Sequence, residues 1–377
     1  MSNHLFLRLS LLAVFLGLTI FSPLKADIIH IVYTSDMHYG ITRTFRGHDN
    51  VPSNKVNQEM LRQINRIIDL KLPSNGVGAG EIVGCVEAII NTGDIVNRMQ
   101  KDAQSSAKSW AQFNQDWKKV LNLKNKKGEQ TPTFLSIGNH EASNAIGLYK
   151  LVQDCDHSPI VDIYNKELAP EKKLTYEEFD YATHKINYSA EICGIRLLFV
   201  HLWPDSKQRE WIKSEIATFD KDQPILLFTH DAPSVLAQHF INPNGDGGIN
   251  EHDRFENILQ DVCSVTSIKQ KPVAEELALS KFLRNTPSIK AYLHGDYNYS
   301  EFYTWKDPNG VEVIPTFRVD SPMKGLYSQT DESLLSFMLL SIDTDNHTMT
   351  AREVLWNQGD DANPPIVWGN SRTITLK

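Results

Sequence analysis

Cysteine is scarce in this chain. Four of its 377 residues are Cys (Cys85, Cys155, Cys193 and Cys263), scattered without a C-x-x-C pair. That spacing speaks against a zinc ribbon. In an exported protein four cysteines allow up to two disulfides, in any of three pairings, and buried thiols are the other reading. Basic runs are also lacking. The net charge is −8, and an acidic chain without a basic stripe is a poor non-specific binder of nucleic acid or anionic membrane. Repeats, low-complexity stretches and domain linkers are absent, so one domain over 27–377 is expected. After the first residues no segment is apolar enough to span a bilayer.

Those first residues are different. "LFLRLSLLAVFLGLTIFSPLKA" sets Arg8 ahead of a Leu, Phe, Val and Ile run, with Pro23 and Ala26 before Asp27. This is the layout of a secretory signal peptide over 1–26, cleaved after Ala26. Loss of Arg8 and Lys25 with it takes the charge from −8 to −10. No Cys follows the run, which argues against a lipoprotein anchor. The expected location is periplasmic or secreted, with no stable membrane insertion after cleavage; an uncleaved anchor is the alternative.

What the rest contains is an alternation of strand and helix patterns. "IIHIVYTS" (28–35) reads as a buried strand, followed by a long polar loop and then Val56, Met60, Ile64, Ile67 and Ile68 at helical spacing. "VEAIINT" is a strand, Trp110 to Leu121 an amphipathic helix, and "TFLSI" (133–137) a strand. "GIRLLFVHL", "PILLFT" and "SIKAYLH" continue as strands, with helices at "SKQREWIKSEI" and "VAEELALSKFLRN". The end is β-rich: "SEFYTW", "VEVIPTFRV", "SLLSFMLLSI" and "TMTAREVLW", the last two joined at "DTDNH". Helices packed over mixed sheets are the expected class.

In open α/β sheets functional groups gather at the carboxyl ends of strands. Those ends carry Asp36 and His38 in "SDMHYG", Asp94 in "TGDIVNR", Asn139 and His140 in "IGNHE", His230 in "FTHDAP", and "HGDYN" (294–298). One such Asp is most often a helix cap, and one such His is most often a hydrogen-bonded one. Five successive strand ends bearing carboxylate, imidazole or amide are hard to explain as caps. Two divalent cations about 3.5–4 Å apart clamp a phosphoryl group, and need a carboxylate reaching both ions with N and O ligands on each side. The spacing Asp-x-His lets two side chains from the same strand end point to one ion, since alternate residues share a face.

In this order, "SDMH", "TGDIVNR", "GNHE" and "THDAP" resemble the calcineurin-like metallophosphoesterase superfamily over about residues 28–300. "INYSAEICGIRLLFVHL" is similar to the family's strand pair. The resemblance implies a two-sheet β-sandwich flanked by helices, a four-layer αββα fold in the α/β class, with the metals in the middle. It implies that Asp36 and His38 bind the first metal, Asp94 bridges, and Asn139 and His230 bind the second. His140 would face the substrate, as general acid or as partner for developing negative charge. Arg98 would orient the loop or the phosphate, and Glu141 would hold His140 or a ligand in place. Asn97 stands where the family has a second Asp that is not a ligand. The last motif departs further. With Gly295 as the family's glycine, Asp296 and Asn298 replace two histidines; the other register uses His294 and Asp296 and loses the glycine.

Oxygen donors in place of imidazole harden the site. Manganese, iron or magnesium are then favoured over zinc, as one or two divalent ions. The implied function is an exported metal-dependent phosphoesterase, in which a metal-bound hydroxide attacks a small phosphate mono- or diester. The alternative is a non-catalytic or weakly active metal- or phosphate-binding protein. Cyclic nucleotides and phospholipid head groups suit the same centre, and oligomeric state is left open. Arg43 and Arg46 read as phosphate contacts or as solvated charges, and His239 as lying apart from the centre or as facing the same cleft. His201, Trp203 and Asp205 read as core or cap residues. "GDGGINEHDRFEN" and "RVDSPMKG" have no physical account at this level.

Overall fold

The computed structural model describes residues 27–98, 104–146, 155–221, 223–240, 258–265, 267–359 and 363–377. Residues 1–26, read above as a signal peptide, and the stretch 245–257 lie outside these residues. The chain runs through β1 (Ile28–Thr34), the hairpin β2 (Thr42–Phe45) and β3 (His48–Pro52), α1 (Ser53–Arg66), β4 (Ala88–Asn91) and α2 (Ser106–Val120). β5 (Thr133–Leu135), α3 (Asn139–Ile146), α4 (Ser158–Glu167), β6 (Tyr188–Ile192), β7 (Ile195–Phe199) and α5 (Ser206–Ile216) follow. Next are β8 (Ile225–Phe228), α6 (Val273–Arg284), β9 (Ile289–His294), β10 (Glu301–Lys306) and β11 (Glu312–Arg318). The chain closes with β12 (Ser336–Asp343), β13 (Thr348–Leu355) and β14 (Val367–Thr375).

Two six-stranded sheets result, ordered β14-β13-β12-β1-β4-β5 and β10-β11-β9-β8-β7-β6. β1, β4 and β5 are parallel in the first, and β7, β8, β9 and β11 in the second. Strands buried on both faces are nearly continuous apolar runs, as parallel sheets require. In β1, Ile29, Ile31 and Tyr33 pack between the sheets with Ala88, Ile90, Phe199, Phe228, Leu293 and Leu340. Val32, on the other face, joins the helix-side core of Val56, Met60, Ile64 and Phe113. Leu198 and Leu227 do the same for the second sheet. The period of two thus builds four layers, helix–sheet–sheet–helix.

Three parts of the reading above change. The "long polar loop" after His38 holds the hairpin β2–β3, whose polar, largely exposed residues gave no apolar alternation. β14 is an exposed edge strand, missed for the same reason. All four cysteines are unpaired: Cys155 and Cys193 are exposed, and Cys85 and Cys263 only partly covered. They are therefore neither disulfides nor buried thiols. Among the described residues no helix is long and apolar enough to cross a membrane.

Candidate metal centre

The parallel strands of both sheets end at one edge, and the two sheets are stitched together there. The Asp296 amide donates to Asp36 Oδ2 across the sandwich at 3.1 Å, and His230 Nδ1 lies 3.0 Å from Thr92 O. Asp36 and His38 do not share a face by strand alternation. β1 has ended at Thr34, and both residues hold positive φ, 55° and 42°. Their amides donate to Gly93 O (2.9 Å) and Asp94 O (2.8 Å), which fixes the turn. Asp94, Asp296 and Asn298 also have φ of 50°, 67° and 57°. Such backbone is sparsely populated for residues other than glycine and persists where surrounding structure enforces it. Five of the seven expected ligands share it.

Asp94 stands between two groups of side chains. Its Oδ2 is 3.6 Å from His38 Nε2 and 3.7 Å from His140 Nε2, while Oδ1 is 3.4 Å from His230 Nε2. His38 Nε2 is 3.8 Å from Asp36 Oδ1, and His230 Nε2 is 3.9 Å from Asp296 Oδ1. Donor atoms of Asp36, Asp94 and His230 fall within 4.8 Å of one another, as do those of His230, Asp231 and Asp296. The close approach needs glycine at two places. A Cβ on Gly138 would overlap Asp94 Oδ1, and one on Gly295 would overlap Asp36 Oδ2.

The charges explain one another. Burial raises the Asp94 carboxyl, but the imidazoles of His140, His230 and His38 outweigh it and hold Asp94 well below the usual range. Burial likewise lowers His230, yet Asp94, Asp36 and Asp296 pull it well above an ordinary histidine. Asp36 is pushed up to about 7, first by burial.

Two histidines present opposite faces to this cluster. Thr92 O can only accept, so the proton of neutral His230 sits on Nδ1 and Nε2 offers a lone pair. His140 Nδ1 instead accepts the Arg98 amide at 2.7 Å, so its Nε2 carries the proton. His140 lies close enough to join a ligand set with His38 and Asp94. In this tautomer it offers a donor and no lone pair.

The donor set fits divalent cations. Asp36 Oδ1, both His38 nitrogens and Asn298 Oδ1 are buried without a hydrogen-bond partner among the described residues, a costly state for polar groups. Asn139 lies at the same cluster: one orientation of its amide sets Oδ1 3.2 Å from His230 Nε2, and the reversed amide would donate to His230 Nε2 and Asp94 Oδ2 and accept from Arg98 Nη2.

The last motif is arranged around Gly295. Asp296 reaches the His230 side, and Asn298 lies beside His38 with its Nδ2 bonded to Asp296 O at 2.8 Å. His294 is engaged elsewhere, 2.9 Å from both Gly295 O and Tyr303 Oη. Glu141 holds backbone instead of a side chain: it accepts from the amides of Asp94 (2.9 Å), Val96 (2.8 Å) and Gly138 (2.7 Å). Arg98 Nε donates to Ser143 Oγ at 2.9 Å. His239 does reach this region, through Asp231 Oδ2 at 2.7 Å.

Other candidates fall away from the centre. Buried Arg43 donates to Pro322 O and Ser328 O, both at 2.6 Å, and Arg46 bonds Asn357 and pairs with Glu59. His201 and Trp203 are core residues, and Asp205 caps α5 by accepting from the Gln208 amide. Sequence reasoning missed Asp231, Ser321 and Lys324. Ser321 Oγ donates to Asp36 O at 2.7 Å and Lys324 Nζ lies 3.2 Å from His140 Nε2. Both come from "RVDSPMKG", whose Ser, Pro and Gly mark a turn without saying what it faces.

A family model described as calcineurin-like phosphoesterase matches residues 29–296. Among solved structures, one described as PhoD is similar over 93% of this chain and 70% of its own, at 8% identity and a TM-score of 0.52. A dimetal phosphatase from Danio rerio is similar over 93% and 99%, at 10% identity and a TM-score of 0.49. A purple acid phosphatase from yellow lupin (Lupinus luteus) seeds is similar over 93% and 54%, at 12% and 0.47. At 8% identity the first likeness bears on the fold alone. No curated protein matches the sequence.

Proposed function

The chain belongs to the calcineurin-like phosphoesterase family, the metal-dependent hydrolases of phosphoester bonds, and from that premise we propose a two-cation centre acting on a small phosphate mono- or diester. Asp36, His38 and Asn298 would hold one cation, Asn139, His230 and Asp296 the other, and Asp94 would serve both. The observation that carries this is the set of buried, partnerless ligand atoms around a carboxylate whose two oxygens face opposite sides. Because the donors are mostly oxygen, manganese, iron or magnesium is favoured over zinc.

Bound divalent cations supply Lewis acidity here, lowering the pKa of water and drawing charge from phosphoryl oxygens. The chain's own residues do the rest. His140 acts as a fixed N–H donor, not as a general acid, because the Arg98 amide on Nδ1 excludes the doubly protonated ring. Its Nε2–H is available to a phosphoryl oxygen that carries negative charge as the ester P–O bond breaks. Water supplies oxygen to phosphorus and, in balance, a proton to the departing oxygen. Glu141 fixes the Asp94 turn, so the carboxylate is in place before substrate arrives. The leader at 1–26 makes the protein periplasmic or secreted.

Metal content and turnover of p-nitrophenyl phosphate and its diester test this reading. Divalent cations with turnover of either ester are expected. Bound cations without turnover of either would favour the non-catalytic binder. Mass spectrometry of the natively expressed protein should find Asp27 at its start; an intact leader in the membrane fraction would reject export.

A further inference from the structure

The segment between β11 and β12 brings a cation of the protein's own to the centre. It is held on two sides. Ser321 Oγ donates to Asp36 O and accepts the Lys324 amide at 2.8 Å. From the β2–β3 hairpin, Arg43 binds Pro322 O and Ser328 O, so the carrier of Lys324 is clamped to both a ligand turn and a hairpin. A side chain on Gly325 would overlap Ser328 Oγ.

Lys324 Nζ ends 3.2 Å from His140 Nε2. Both groups are donors, since the Arg98 amide fixes the His140 proton on Nε2. Among the described residues, no carbonyl or carboxylate takes a hydrogen bond or ion pair from this ammonium. Two N–H donors directed at each other lack a shared acceptor, and an anionic oxygen between them supplies one. Burial, first, lowers the Lys324 pKa and Arg98 adds to this, while Asp94, Asp36 and Asp296 attract the ammonium through space; those carboxylates would be neutralised on holding cations. The charge of Lys324 then acts on the substrate.

We propose that Lys324, with His140, holds a terminal oxygen of a phosphomonoester dianion, which makes the centre selective for monoesters over diesters. This rests on the phosphoesterase reading above. A monoester presents three terminal oxygens and two negative charges, enough for the cations and for this donor pair. A diester has one charge and puts an ester arm where the third oxygen would lie. Lys324 is thus a specificity determinant built from a loop outside the strand-end motifs.

The test uses the manganese-loaded full chain, with p-nitrophenyl phosphate and bis(p-nitrophenyl) phosphate as substrates. Lys324→Gln should lower kcat/KM for the monoester by roughly 10–100-fold, the range of one charge-assisted hydrogen bond, and leave the diester little changed. Lys324→Arg, which keeps the charge, should recover part of the loss. Calorimetry with inorganic phosphate reads the contact without turnover: Lys324→Gln should weaken binding, while an unaltered melting temperature shows that the loop still folds. Equal losses on both esters, or unchanged phosphate affinity, overturn the lysine contact. A wild-type chain that hydrolyses neither ester overturns monoester selectivity together with the reading it rests on, and phosphate affinity then still decides the contact itself.

Discussion

On the Asn139 side of Asp94 the protein supplies its own partners: His230 Nδ1 has Thr92 O, and Nε2 has Asn139 and two carboxylates. On the other side His38 Nε2 likewise has two carboxylates near it, Asp94 at 3.6 Å and Asp36 at 3.8 Å, but neither nitrogen of His38, nor Asp36 Oδ1 or Asn298 Oδ1, makes a hydrogen bond among the described residues. The two sides are similar in donor chemistry and differ in hydrogen bonding. Burial and the Lys324 charge keep His38 well below an ordinary histidine's pKa, so it presents lone pairs. His230 is drawn up by its carboxylates and keeps a proton. One side is closed by a proton in the absence of metal; the other depends on a cation to close it. Each unsatisfied buried group costs about 1–3 kcal/mol, a cost that a bound cation removes.

Asp94 is the piece common to both sides, so removing its charge should have the largest effect. Asp94→Asn should lose both cations and nearly all phosphoester hydrolysis, measured by elemental analysis and turnover. Retention of metal and rate would show that the sides do not share a ligand. His140→Ala should separate chemistry from binding: turnover falls about 10²–10³-fold, as for loss of one preorganised donor, with cation content kept. Loss of cation in a folded variant would make His140 a ligand.

Proton release should sharpen the contrast. A cation entering the His230 side must displace the proton that its carboxylates hold on that imidazole; at the His38 side the imidazole carries none, and the proton to displace is the one on Asp36, pushed up to about 7 by burial. Lowering the pH through 7 should therefore weaken both sites, while well above 7 only the His230 side still has a proton to lose. Calorimetry at such a pH, in buffers of different ionisation heat, should count proton release for the His230 event alone. A smaller effect concerns metal choice. Asp296→His with Asn298→His puts one imidazole on each side and should raise zinc affinity relative to manganese, while His294→Ala changes little because its nitrogens already have partners. Competition titrations with both metals read this, and metal loss in His294→Ala would reverse the register.

What was legible in the sequence follows from how each part is encoded. The strand ends could be read because apolar runs of four to eight residues stop abruptly at Asp, His or Asn, and Gly138 and Gly295 lie where no side chain fits. α3 was hidden because its buried face is polar, with Asn139, Glu141, Ser143 and Asn144. Its Asn-His was read as a motif and not as a helix start. Arg43 was misread because its partners lie 279 and 285 residues away in sequence. Lys324 had no local signal, since a lysine in a turn ordinarily reads as a solvated charge and only the folded chain shows His140 beside it.

The central claim is that the His38 side closes on a cation, and manganese titration of chelator-stripped wild type and His38→Leu tests it most directly. The wild type should take up two ions per chain. The variant should take up one, because the His230 side keeps its ligands, and should melt no lower than wild type without metal, since an unsatisfied buried imidazole has been replaced by an apolar side chain. Equal stoichiometry in the two proteins, or a metal-free variant that melts well below wild type, would contradict the account.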